Sequence, residues 1–152
     1  MAFIYLAARY DRREEMIPYA KQLEAEGHEV TSRWIFEGEH ETYGQLWRTK
    51  AEIDLRDIDR SEVIVLFTED PETFWVRGSR HFELGYAFGI GLMCITVGPR
   101  ENIFHWLDLV DNHATWEECF NTCFKDDCEL NPGDWAWMAR AERQQRVLEV
   151  TT

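Results

Sequence analysis

A chain of 152 residues with 45% hydrophobic content can bury one substantial core but hardly two. A formal net charge of −13 and a pI near 4.7 exclude a protein that tracks a nucleic-acid polymer, because that needs Lys and Arg to displace condensed counterions. An isolated nucleotide in a locally basic pocket is still allowed. The longest apolar run, around Ile90 to Val97, stops well short of the ~20 residues of a membrane helix. With no basic-then-apolar leader at the N-terminus either, the expectation is a cytoplasmic single domain with no membrane partner.

In chain order, Phe3 to Ala7 is an apolar run leading into polar residues, which predicts a buried strand feeding a turn. Asp11 and Glu14 have the spacing of a capping box. Met16, Tyr19, Ala20 and Leu23 then repeat at helical spacing until Gly27 stops the helix, with Pro18 awkwardly inside it. Glu29 to Trp34 reads as a second strand and 38–44 as a polar loop. From Leu46 to Arg60, Trp47, Ala51, Leu55 and Ile58 predict the buried stripe of a helix, which puts Asp54 and Asp57 together on a neighbouring face. Val63 to Phe67 is apolar enough to be covered on both sides, as in a parallel sheet. A helix from His81 to Gly91, a strand from Met93 to Val97 and a turn at Gly98-Pro99 follow. A weaker strand before Thr115 and a helix from Trp116 complete the pattern.

This alternation implies an α/β fold: a flavodoxin-like three-layer sandwich with a parallel sheet of about five strands. Ligands in such sheets bind beyond the carboxyl ends of the strands, so the loops after Leu6, Phe67 and Val97 are where function is expected. The stretch 126–152 reads as a packing or oligomerisation extension of the one domain.

Glu83 stands in the first turn of the helix after the strongest central strand, where the helix dipole would hold a carboxylate ionised, as a nucleophile requires. A solvated first-turn residue satisfies the same physics. Gly85 and Gly89 would let another element approach that helix closely. Cys119, Cys123 and Cys128 with His113 lack the paired CxxC of a strong zinc signature and read as reduced packing cysteines, so no metal and no cofactor is expected. His105, near the Gly98-Pro99 turn, is a candidate proton donor or a structural histidine.

The segment Gly78-Ser79-Arg80-His81-Phe82-Glu83-Leu84-Gly85-Tyr86-Ala87 is preceded by Ile4-Tyr5-Leu6-Ala7 and by Ile53-Asp54-Leu55 ahead of the Val63 strand. In order and spacing these segments resemble the nucleoside 2-deoxyribosyltransferase-like family, which includes the deoxynucleoside 5'-monophosphate N-glycosidases. The resemblance runs from about residue 3 to 105. It implies Glu83 as the nucleophile on the anomeric carbon, Tyr5 as its hydrogen-bond donor, and Asp54 at the sugar or the reacting centre. The residues alone leave Tyr5 open to a core role and Asp54 to a solvated face.

One departure bears on the substrate. Six residues before the nucleophile the transferases of this family carry an aspartate and the monophosphate glycosidases a serine, whereas this chain has Arg77. A guanidinium suits a phosphate, with Gly78, Ser79, Arg80 and Arg9 as further donors, Tyr10 as a stacking surface for a base, and Asn102 as a residue of the next strand end. Balancing an acidic surface is the alternative role for Arg77 and Arg80. The expectation is cleavage or transfer of the N-glycosidic bond of a nucleoside, preferably a nucleoside 5'-monophosphate, through a covalent glycosyl-glutamate. The resemblance further implies a homo-oligomer, and the alternative function is a nucleotide-sensing module without turnover.

Overall fold

The computed structural model describes residues 1–37, 45–70, 72 and 78–125. Arg77, Cys128 and the 126–152 extension lie outside the described residues. Five parallel strands form one sheet: β1 (Phe3–Ala7), β2 (Glu29–Val30), β3 (Val63–Phe67), β4 (Met93–Val97) and β5 (Val110–His113), in the order β2-β1-β3-β4-β5. Four helices accompany them: α1 (Arg13–Ala25), α2 (Gln45–Asp59), α3 (Ser79–Ile90) and α4 (Trp116–Cys123). This is the expected flavodoxin-like three-layer sandwich.

The layers follow from the two-residue side-chain period of a strand. Ile4, Leu6, Val63, Val65 and Phe67 point to one face, where Met16, Ala20 and Leu23 of α1 meet Trp116, Cys119 and Phe120 of α4. Tyr5, Ala7, Ile64 and Leu66 point to the other, beneath Ile58 of α2 and Leu84 and Ala87 of α3. With both faces covered, β3 and β4 are buried at every residue, which is why their sequences are continuously apolar. No helix among the described residues is long and apolar enough to cross a membrane.

Four local expectations need correction. A short 3-10 turn, Tyr10–Arg12, precedes α1, and Asp11 pairs with Arg9 instead of capping the helix. The second strand ends at Val30, because side chains replace the ladder beyond it: Ser32 Oγ accepts from Leu6 N at 2.5 Å and Trp34 Nε1 donates to Leu6 O at 2.9 Å. On α2, Trp47 and Ala51 are exposed, while Ile58 and the carboxylate Asp57 are fully buried. Finally, α3 begins at Ser79 with Gly78 as its N-cap, two residues earlier than expected, so Glu83 lies beyond the first turn. The open N-terminal N–H groups are therefore not beside its carboxylate.

Candidate active site

The strand order reverses between β1 and β3, since the chain leaves β1 for β2 on one side and returns to β3 on the other. Here a cavity of about 160 Å³ is lined by Ala8, Tyr10, Trp34, Glu37, Lys50, Ile53, Asp54, Ser79 and Glu83. β1 supplies Tyr5 beside it, α2 supplies Asp54 and α3 supplies Glu83. Three elements far apart in sequence thus converge at one sheet reversal.

Glu83 is half-buried as a residue, but its carboxylate is deeply desolvated. Burial first, and then the neighbouring Asp54 charge, push its pKa up to about 8, against smaller opposing effects of the Tyr5 hydroxyl and the Arg80 charge. This reverses the expectation of a carboxylate held ionised by the helix dipole: past the first turn, desolvation outweighs it. Asp54 is raised to about 6 by burial, then by Asp57 and Glu37, with Lys50 and Arg33 opposing. Two carboxyls with raised pKa values in one pocket titrate as a pair, which holds one proton between pH of about 6 and about 8.

Tyr5 is fully buried, and its hydroxyl makes no well-formed hydrogen bond among the described residues. It is nevertheless close enough to Glu83 for the two to perturb each other: burial, then the charges of Glu83 and Asp54, hold the phenol well above its ordinary pKa. Tyr5 therefore stays protonated and can donate only to a group in this pocket. A buried hydroxyl without a firm partner costs stability, and such groups concentrate at functional sites.

Asp57, three residues from Asp54, has a different position. Its side chain is fully buried and held by Arg33, through Nη2 at 2.8 Å and Nε at 2.9 Å, and by Arg60 at 3.4 Å. It anchors the Arg33–Ile35 turn to α2 and does not line the cavity. That turn in turn presents Trp34 to the pocket, 6.5 Å from the Tyr10 ring.

The other expected site residues divide in the same way. Tyr10 and Ser79 line the cavity, and Gly78 caps the helix that carries Glu83. Arg9 pairs with Asp11 and lies 3.9 Å from Glu69, away from the lining. Arg80 is 1% exposed and ion-paired with Glu101, so it is neither a surface counter-charge nor part of the cavity lining. Asn102 accepts from Phe104 N and sits beside His105 and His81 in a separate, apolar hollow of about 660 Å³ between α3 and the Ile103–Trp106 turn. His105 is fully buried, accepts from Glu101 N on Nδ1, and is lowered to about 4 by burial and then by His81 and the nearby arginines. It stays neutral and is no proton donor at physiological pH. Gly85 and Gly89 make no close approach to another element among the described residues, because a Cβ at either would meet nothing there within 4 Å.

Trp34, Glu37, Lys50 and Ile53 are pocket residues that the sequence reading missed. Lys50 was accessible to it: one helical turn before Asp54, it shares that residue's face. Among the described residues it is the only cation lining the cavity. Among the described residues no carboxylate lines the larger apolar hollow.

No protein-family profile and no curated protein matches the sequence. Solved structures do. A 2-deoxyribosyltransferase from Bacillus psychrosaccharolyticus matches with a TM-score of 0.62 at 24% identity, over 81% of this chain and 93% of its own. The CMP N-glycosidase BcmB of Clostridium botulinum matches with a TM-score of 0.53 at 19% identity, over 78% of this chain and 95% of its own. The chain therefore shares the fold of a 2-deoxyribosyltransferase and a CMP N-glycosidase across nearly their whole length.

Proposed function

We propose that this protein is a nucleoside 2-deoxyribosyltransferase-like enzyme that cleaves or transfers the N-glycosidic bond of a nucleoside or nucleoside 5'-monophosphate. The observation that carries this reading is Glu83: a desolvated carboxylate that forms no ion pair with an arginine among the described residues, in one pocket with Asp54 at the sheet reversal, next to the buried Tyr5 hydroxyl. The two structural neighbours act, by name, as a deoxyribosyltransferase and a CMP N-glycosidase, which supports the same class of substrate.

The higher pKa puts the shared proton mainly on Glu83, and the reactive form is the minor arrangement in which it has moved to Asp54 and left Glu83 as the carboxylate. Glu83 attacks the anomeric carbon, the C–N bond breaks, and the proton passes from Asp54 to the departing base. Asp54 then accepts the proton of a water, or of an incoming base, that displaces Glu83 from the sugar with net retention. Tyr5 donates to Glu83 and sets its orientation and basicity. The Tyr10 and Trp34 rings flank the site and offer aromatic faces to a base. A preference for a 5'-monophosphate rests on Ser79 at the cavity and on Arg77 in the sequence just before Gly78. A homo-oligomer, expected from the family resemblance, is consistent with the exposed Phe82, Ile103, Phe104 and Trp106 side chains.

The test is to incubate the protein with ribo- and deoxyribonucleosides and their 5'-monophosphates, with and without an acceptor base, and follow free base by chromatography. Base release that disappears in Glu83→Gln supports the reading, and base exchange separates transferase from hydrolase. Nucleotide binding with no release from any substrate would replace it with the sensing module.

A further inference from the structure

The described residues hold one other cluster of chemically potent side chains, on the α4 side of the sheet. His113 ends β5, and Cys119 and Cys123 lie one turn apart on α4, so their side chains share the face that packs toward that strand end. All three are buried. Their ligand atoms lie within 4.8 Å of one another, and Cys123 Sγ is 3.4 Å from His113 Nε2. Asp111, two residues earlier on β5, places Oδ2 3.1 Å from the same nitrogen.

We infer that His113, Cys119 and Cys123 form a structural site for a zinc-class metal ion, with Asp111 supplying the fourth ligand. Tetrahedral zinc, at ~2.3 Å from sulfur and ~2.0–2.1 Å from nitrogen or oxygen, sets neighbouring ligand atoms roughly 3.3–3.8 Å apart. The sulfur–nitrogen and oxygen–nitrogen separations are already near those edges. Two thiolates, an imidazole and one carboxylate oxygen are a donor set for zinc and unsuited to magnesium or calcium. Binding releases the thiol protons to solvent, and two thiolates neutralise the dication.

The site would pin α4 to β5, which among the described residues hydrogen-bonds a neighbouring strand on one side only. The experiment is a titration of the reduced, full-length protein with Co²⁺ and then Zn²⁺. One equivalent of Co²⁺ should give thiolate-to-metal charge transfer and the intense visible bands of a tetrahedral complex, bleached by Zn²⁺. Zn²⁺ should also raise Tm by about 5–10 °C when free ion exceeds its Kd about a hundredfold. The double variant Cys119→Ser/Cys123→Ser should lose the bands, Asp111→Asn should bind about tenfold to a hundredfold more weakly, and Cys94→Ser and Cys128→Ser should leave binding unchanged. Absence of tetrahedral bands in the unaltered protein overturns the site, whatever the variants do. Bands that survive the double variant, or vanish in Cys128→Ser, overturn its ligand set.

Discussion

Two regions of this molecule treat buried carboxylates in opposite ways. Behind α2 and beneath the first turn of α3, Asp57 and Glu101 are each met by arginine: Arg33 and Arg60 for the first, Arg80 for the second. At the sheet reversal, Glu83 stands beside Asp54, with the charges of Lys50, Arg33 and Arg80 and the Tyr5 hydroxyl as weaker counterweights. Asp54 and Asp57 are only three residues apart on one helix. Guanidinium groups are therefore within reach of this region, and among the described residues none forms an ion pair with the pocket carboxylates. A paired carboxylate fixes structure; an unpaired one holds a proton or a charge ready for a substrate.

The sharpest way to break this contrast is Glu83→Gln, which keeps shape and removes the nucleophile. Base release should fall by on the order of 10⁴ or more. Stability should move the other way. The folded-state pKa of Glu83, about 8, lies above the ordinary 4.5, so the native state binds more protons than the unfolded chain between those values and loses stability as pH rises through them. The Tm advantage of Glu83→Gln should accordingly grow with pH up to about 8 and level off above it.

Asp54→Asn removes the proton carrier and should lower kcat/KM by about 10²–10⁴. The unaltered enzyme should show a bell-shaped profile with limbs near 6 and 8, the window in which the pair holds one proton. The variant should lose the bell, and a profile unchanged by this substitution would remove Asp54 from the chemistry. On the paired side, Arg80→Met strands the Glu101 carboxyl in a buried position and should cost about 3–5 kcal/mol of stability, read as a fall in denaturation midpoint. Tyr5→Phe should have the smallest effect, about tenfold in activity at neutral pH. Because the hydroxyl lowers the Glu83 pKa, its loss should also displace the pH profile upward.

Much of the frame was legible in the sequence because burial and periodicity agree there. Val63–Phe67 and Met93–Val97 are apolar throughout because helices cover both faces, and Thr115 caps α4 by accepting from Glu118 N, so that helix starts where it was expected. The site was harder to read for the reason that makes it a site. The face of α2 turned inward carries Asp57 beside Ile58, so an apolar stripe is right at Ile58 but also buries Trp47, which is exposed. At α3, two residues of helix start decided the electrostatics: a helix from His81 puts Glu83 under the dipole, and the actual start at Ser79 leaves burial in control. Spacing alone could not show that Arg80 turns into the protein toward Glu101, since the two are joined only by the folded chain.

The replacement of ladder bonds by Ser32 and Trp34 also matters for how copies of this protein meet. β2 forms one margin of the sheet, and a long exposed strand there would be a template on which a second chain could add its own strand. Ser32 and the Trp34 indole take the Leu6 N–H and carbonyl and turn the backbone into a 3-10 turn, so only Glu29 and Val30 remain as strand at that margin. Two residues offer too short a template for β-augmentation. The same indole that presents an aromatic face to the pocket thus helps guard this edge against fibrillar aggregation.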